Sequence, residues 1–100
     1  MSERGGAQRL TIGPETRPRL PRHLKLRHDP ARGRWILLAP ERVMTPDEHA
    51  VAILRHCDGA KTVREIAETL ASEYDAPADE ICSDIIDLLQ GLADKRYIET

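Results

Sequence analysis

The chain has 100 residues, of which 40% are hydrophobic and 32% charged, and its formal net charge is −2. This length allows a single modest domain, because a chain of this size buries roughly 60–70% of its extended surface on folding. No stretch approaches the roughly 20 consecutive apolar residues that span a bilayer, and residues 1–10 lack the apolar core of a secretory signal. We therefore expect a cytoplasmic protein without a membrane partner.

The small net charge conceals two oppositely charged halves. Residues 1–42 contain ten Lys and Arg against four Asp and Glu, a net of +6, whereas residues 43–100 contain five against thirteen, a net of −8. The halves should attract each other and could attract other chains.

Residues 1–20 are predicted to form a disordered basic arm, because they are polar, rich in Gly, Pro and Arg, and lack a sustained apolar period. The arginines of this arm either keep the chain soluble or contact a partner. We place the folded domain at residues 21–100.

Strand signals open that domain. Residues 24–28 alternate apolar and polar, residues 29–33 are typical of a turn, and residues 35–38 form a β-favouring run that Pro40 ends. Residues 41–44 can add a third strand. Three strands are about the minimum for a sheet with one covered face.

Three helices follow. The first is predicted to begin at a capping box of residues 45–48 and to end at Cys57, and the second begins at a capping box of residues 62–65. Their apolar faces comprise Ala50, Ile53, Leu54 and Cys57 on the first helix and Val63, Ile66, Ala67, Leu70 and Tyr74 on the second.

A third helix is predicted to begin near Pro77. It carries two adjacent apolar rows, Ile81-Ile85-Leu88-Leu92 and Cys82-Ile86-Leu89-Ala93. Such a wide stripe indicates either a helix wedged between two elements or a surface kept for a ligand, and residues 97–98 either add a short strand or simply pack. The predicted fold is α+β: a short three-stranded antiparallel sheet followed by a three-helix bundle.

Catalytic and metal-binding motifs are missing from the sequence. It has no G-x-S-x-G, G-x-G-x-x-G, phosphate-binding loop or H-E-x-x-H. His49 and His56 share a predicted helix but stand two turns apart, too far for the i, i+4 pair of a zinc helix. Cys57 and Cys82 occupy apolar helix positions without CxxC spacing, so we interpret them as buried thiols. We predict no enzyme, no metal and no cofactor.

Strands followed by short helices also suit a winged-helix transcriptional regulator, the alternative from a different functional class. The polar face of the third helix argues against DNA binding, because it has no Lys or Arg before Lys95 and carries five acids: Asp79, Glu80, Asp84, Asp87 and Asp94. These carboxylates would repel a phosphate backbone. A free sheet edge beside an apolar helix instead favours a protein that adds an extended peptide to its sheet.

Several segments together resemble one family. They are residues 33–35 and 37–42, Ile53-Leu54, Cys57-Asp58-Gly59, Val63, Ile66, Leu70, Asp84, Leu88 and residues 92–95. Across about residues 20–98 the chain is similar to the pyrroloquinoline quinone biosynthesis protein D group, within the recognition elements of ribosomally made, modified peptides. The resemblance implies a winged-helix-like fold and a non-catalytic peptide chaperone.

The resemblance also implies partners and a site. The partners are a precursor peptide and a radical S-adenosylmethionine enzyme that cross-links a Glu and a Tyr of that peptide. The peptide strand would lie against Glu41, Arg42, Val43 and Met44 and face the third helix through Asp84, Ile85 and Leu88. Ile85 and Leu88 could equally belong to the core, and Asp84 could be only a solvated acid. We expect a monomer in solution, although a hairpin hinging near residues 39–40 could swap between copies in a crystal.

Overall fold

A computed structural model describes residues 10–40 and 42–100. It contains one three-stranded antiparallel sheet in the order β1-β2-β3, followed by three helices, as the sequence predicts. The elements are β1 (Lys25–Asp29), β2 (Arg34–Ala39), β3 (Arg42–Met44), α1 (Glu48–Leu54), α2 (Val63–Tyr74) and α3 (Ala78–Asp94). No helix within the described ranges is long and apolar enough to cross a membrane.

The β1–β2 hairpin forms where alternation and turn residues predict it. Its register pairs Leu26 with Leu37. In the connecting turn the Asp29 carboxylate accepts a hydrogen bond from the Ala31 N–H at 3.1 Å, and Gly33 has φ +63°, a conformation that glycine adopts without steric cost. The turn therefore reverses the chain and sets the pairing of the two strands.

Helix α1 is shorter at both ends than predicted. Its N-cap is Asp47, whose carboxylate accepts the Ala50 N–H at 2.8 Å, and not Thr45, because aspartate is at least as good an N-cap as threonine. At the other end the N–H groups of His56 and Cys57 bond three residues back, at 3.0 and 3.1 Å, which tightens the chain and ends the helix at Leu54.

Helix α2 begins with the predicted capping box. The Thr62 hydroxyl accepts the Glu65 N–H at 3.1 Å, and the Glu65 carboxylate accepts the Thr62 N–H at 2.8 Å. This backbone bond is the main reason that the pKa of Glu65 is lowered. The predicted apolar face is buried through Leu70, but Tyr74 is 54% exposed because it stands in the last turn, next to the left-handed residue Asp75 that ends the helix.

Helix α3 packs along α2 and completes the core. Its buried residues, Cys82, Ile85, Leu89 and Ala93, combine positions from both predicted rows. The outer members of the rows are partly buried against the core: Ile81, Ile86, Leu88 and Leu92. Both cysteines are free and buried, as predicted, and burial raises the pKa of Cys57 to about 12.

Residues 10–20 correct the predicted boundary of the disordered arm. Ile12 is 4% exposed within the core, and its N–H donates to the Gln90 side chain at 2.8 Å. The Thr16 carbonyl accepts a hydrogen bond from the Val63 N–H at 2.8 Å, and the backbone of Arg19 forms isolated antiparallel β-bridges with both Asp58 and Glu99. This segment folds against the domain because Ile12 is buried in the core and its backbone forms hydrogen bonds with the rest of the chain. Residues 1–9 of the predicted arm lie outside the described residues.

Candidate functional site

The outer edge of β3 is the first component of the site. The strand pairs with β2 through Leu37 with Met44, Leu38 with Val43 and Ala39 with Arg42. It is the last strand in the sheet order, so no described residue pairs with its other side. Backbone N–H and C=O groups on such an edge can accept a further strand.

An apolar groove lies between this strand and α3. It is a cavity of about 280 Å³ to which β2, β3, α1 and α3 all contribute. Its walls are Leu37, Met44, Thr45, Pro46, Asp47, Ala50, Leu54, Leu88 and Leu92. The Asp47 carboxylate is engaged in capping α1, which leaves the groove mainly to aliphatic side chains.

Two of the predicted site residues meet here. Met44 and Leu88, both half-buried, line this same cavity from the sheet and from the helix. Arg42 is exposed on β3, and its guanidinium donates to the Tyr97 hydroxyl at 3.4 Å, which links the edge strand to the C-terminal segment. Val43 is 64% exposed, because side chains alternate along a strand and that of Val43 projects from the face of the sheet opposite to Met44.

The structure does not bring the other predicted residues into the groove. Ile85 is 0% exposed, because it lies on the side of α3 that packs into the core, so it supports the helix and offers no surface to a ligand. Asp84 is exposed but lines a second cavity, of about 420 Å³, with His49 and Tyr74. Glu41 lies outside the described residues.

Several lining residues were not predicted from the sequence. Leu92 follows Leu88 by one helical turn in the predicted row, so its i, i+4 spacing was a usable signal. Pro46, Ala50 and Leu54 gave no such signal, because they reach the groove only through the way α1 and the turn before it pack.

The features of the groove are those of a binding surface. Among residues 10–40 and 42–100, no three His, Cys, Asp or Glu side chains are placed to hold a metal ion. A free strand edge beside aliphatic walls can hold an extended chain by backbone hydrogen bonds and by side chains inserted into the groove.

Comparison with known proteins places this geometry in a family. The family model for coenzyme PQQ synthesis protein D (PqqD) matches residues 34–98, which include β2, β3 and all three helices. The chain belongs to the PqqD family. This confirms the resemblance inferred from the Leu-Leu-Ala-Pro-Glu-Arg and Cys-Asp-Gly segments.

Individual PqqD relatives agree over nearly the whole chain. The PqqA binding protein of Rhodopseudomonas palustris (strain HaA2) is 50% identical over 92 residues, which cover 92% of this chain and 90% of the relative. The bifunctional coenzyme PQQ synthesis protein C/D of Methylorubrum extorquens is 49% identical over 82 residues, which cover 82% of this chain and 22% of that longer protein.

Solved PqqD structures confirm the fold. The solution NMR structure of the PqqD truncation of Methylobacterium extorquens PqqCD, described as a stand-alone recognition element of ribosomally synthesised, modified peptides, matches with a TM-score of 0.79 at 44% identity, covering 90% of this chain and 96% of that one. The crystal structure of PqqD from Xanthomonas campestris matches with a TM-score of 0.57 at 42% identity, covering 90% and 100%.

Proposed function

We propose that this chain is the peptide chaperone of pyrroloquinoline quinone biosynthesis, which binds the ribosomal precursor peptide PqqA as an additional strand on β3. The single observation that carries the proposal is the free edge of β3 beside a groove that Met44 and Leu88 both line. The names of the relatives as PqqA binding proteins supply the identity of the peptide.

Strand addition divides the binding energy between backbone and side chains. Each backbone hydrogen bond to the β3 edge contributes about 0.5–1.5 kcal/mol net. Successive side chains of a strand point to opposite faces, so every second side chain of the peptide enters the groove toward Leu88 and Leu92. The backbone bonds supply affinity independent of sequence, and the groove selects aliphatic or aromatic residues of suitable size.

The chain itself performs no chemistry under this proposal. It holds the precursor peptide and presents it to a radical S-adenosylmethionine enzyme, which cross-links a Glu and a Tyr of the peptide. The binding-protein names of the relatives support a carrier role, and the relative fused to PQQ synthesis protein C supports contact with other proteins of the pathway. We place the chain in the cytoplasm, where ribosomal peptides are made, and propose that it acts as a monomer.

Calorimetric titration with a synthetic precursor peptide tests the proposal. We expect saturable binding with one peptide per chain. A peptide of the same composition in scrambled order is the control, because it keeps the backbone donors but not the spacing of side chains for the groove. Equal affinity for both peptides, or no binding of the precursor, would contradict the proposal.

A further inference from the structure

The sheet has a second face that the groove does not use. Leu26, Ala39 and Met44 pack against the core, whereas Ile36 and Leu38 alternate with the core-facing residues of β2 and point away from it. Both are half-buried, and Val43 beside them is 64% exposed. We call Ile36, Leu38 and Val43, with the basic side chains around them, the outer sheet face.

The rim of the outer sheet face is basic. Lys25 pairs with Leu38 and Arg27 pairs with Ile36, so each of these two outward-facing residues of β2 has an exposed cation beside it. Arg34, on the same face of β2, adds a third exposed cation. The opposing Asp29 carboxylate accepts the Ala31 N–H and stands 4.0 Å from Arg32. The face therefore combines an apolar centre with positive charge.

The strand register connects this face to the peptide site. Lys25, Leu38 and Val43 form one cross-strand row that ends at the free edge of β3. In a strand added to that edge, the residue opposite Val43 would extend the row, and its side chain would point away from the groove. The outward side chains of a bound peptide and the outer sheet face would thus form one continuous surface.

We propose that the outer sheet face is the docking surface for the enzyme that acts on the bound peptide, and that the enzyme meets it with an apolar patch surrounded by carboxylates. This inference rests on the proposed function, because it assumes a peptide on β3. A basic rim attracts an acidic partner and accelerates its association, while the apolar centre supplies contacts that persist as salt rises. The peptide's groove-facing side chains stay covered, and its outward ones meet the enzyme.

Two double variants separate this surface from the peptide site. Lys25→Glu with Arg27→Glu reverses the basic rim, and Ile36→Thr with Leu38→Thr removes apolar contacts while keeping residues that suit a strand. A matched control, Arg22→Glu with Lys95→Glu, makes the same change in net charge at exposed positions outside the sheet. The radical S-adenosylmethionine enzyme is titrated into each chain loaded with precursor peptide, and the peptide alone is titrated into each chain.

We expect both face variants to weaken enzyme binding by about tenfold or more, which corresponds to ~1.4 kcal/mol, with peptide affinity within about twofold of wild type and the control unchanged. Unchanged enzyme affinity in both variants, with intact peptide binding, would overturn the proposal and leave the chaperone function standing. So would loss of peptide affinity in the face variants alone, because the face would then belong to the peptide site.

Other occupants of the face have distinct outcomes. The wild type is also tested for duplex DNA binding and for self-association. If Lys25→Glu with Arg27→Glu abolishes either of these and leaves enzyme affinity unchanged, the face belongs to nucleic acid or to a second copy of the chain. Either result would overturn the proposal. Failure of the wild type to bind the precursor peptide would contradict the chaperone function itself.

Discussion

Met44 of β3 and Leu88 of α3 line one cavity, although the whole of α1 and α2 separates them in the sequence. The edge strand and the last helix form two walls of this groove, which lies directly beside the unpaired edge of β3. The strand order supplies the free edge of a strand-addition site, and the position of α3 supplies one wall of its groove.

Leu88→Ala should weaken binding of the precursor peptide by about tenfold, or ~1.4 kcal/mol, because it removes part of one groove wall. Ile86→Ala is the matched control, since Ile86 is also half-buried on α3 but does not line the groove. Calorimetry measures both affinities.

The same helix offers a stability reference for that prediction. Leu89 is 0% exposed, so Leu89→Ala should cost about 2–5 kcal/mol of unfolding free energy, measured by urea denaturation, and Leu88→Ala should cost clearly less. Equal losses for the two variants would show that Leu88 belongs to the core and not to the groove.

Proline substitution along β3 should separate binding from folding. Proline removes a backbone donor and fixes φ. Because N–H groups alternate in direction along a strand, either Val43→Pro alone, or both Arg42→Pro and Met44→Pro, should remove an outward donor. At such a position peptide affinity should fall by about tenfold or more, with helical circular dichroism and melting retained.

An alanine at the same position is the control, because it keeps the N–H. Proline at an inward position should instead lower stability by breaking a bond to β2. Wild-type peptide affinity in every proline variant that folds would show that strand addition to β3 is wrong.

The N-terminal segment should contribute to stability. Ile12→Ala removes a side chain that is 4% exposed in the core and should cost about 2–5 kcal/mol of unfolding free energy in urea denaturation. Thr11→Ala, at an exposed neighbouring position, should be within about 0.5 kcal/mol of wild type. A loss below about 0.5 kcal/mol for Ile12→Ala would mean that this segment does not pack as the structure shows.

Acid should destabilise the domain partly through Glu65. The pKa of Glu65 is lowered in the folded chain, first by the hydrogen bond from the Thr62 backbone. A depressed folded pKa stabilises the fold above the unfolded value, about 4.3, and this contribution is lost as pH falls through the lower folded pKa. Urea midpoints should therefore fall less between pH 6 and about pH 3 in Glu65→Gln than in wild type.

Glu68→Gln, an exposed change on the same helix, is the reference for that comparison. If Glu65→Gln and wild type lose the same stability over this pH range, the capping box does not contribute to acid sensitivity.

Local patterns predicted the features that depend on residues close in sequence. The capping box of Thr62 and Glu65 is correct because its two hydrogen bonds join residues three apart. The prediction of Thr45 as the cap of α1 was wrong, because Asp47 stands two residues later and is an equally acceptable cap, so the local pattern does not rank the two. The Leu-Leu-Ala-Pro-Glu-Arg segment, with the downstream Cys-Asp-Gly, indicated the family correctly, because a residue motif can be recognised without the fold.

The sequence by itself determined the order of strands and helices, the family and most of the apolar faces. These features depend on capping residues, apolar periodicity and a residue motif, each of which involves residues close together in the sequence. Only the tertiary structure decided that Ile12 joins the core, that Ile85 is covered and that Leu88 remains at the groove. The exposure of a side chain depends on what packs over it, and the elements that cover these three residues come from distant parts of the sequence.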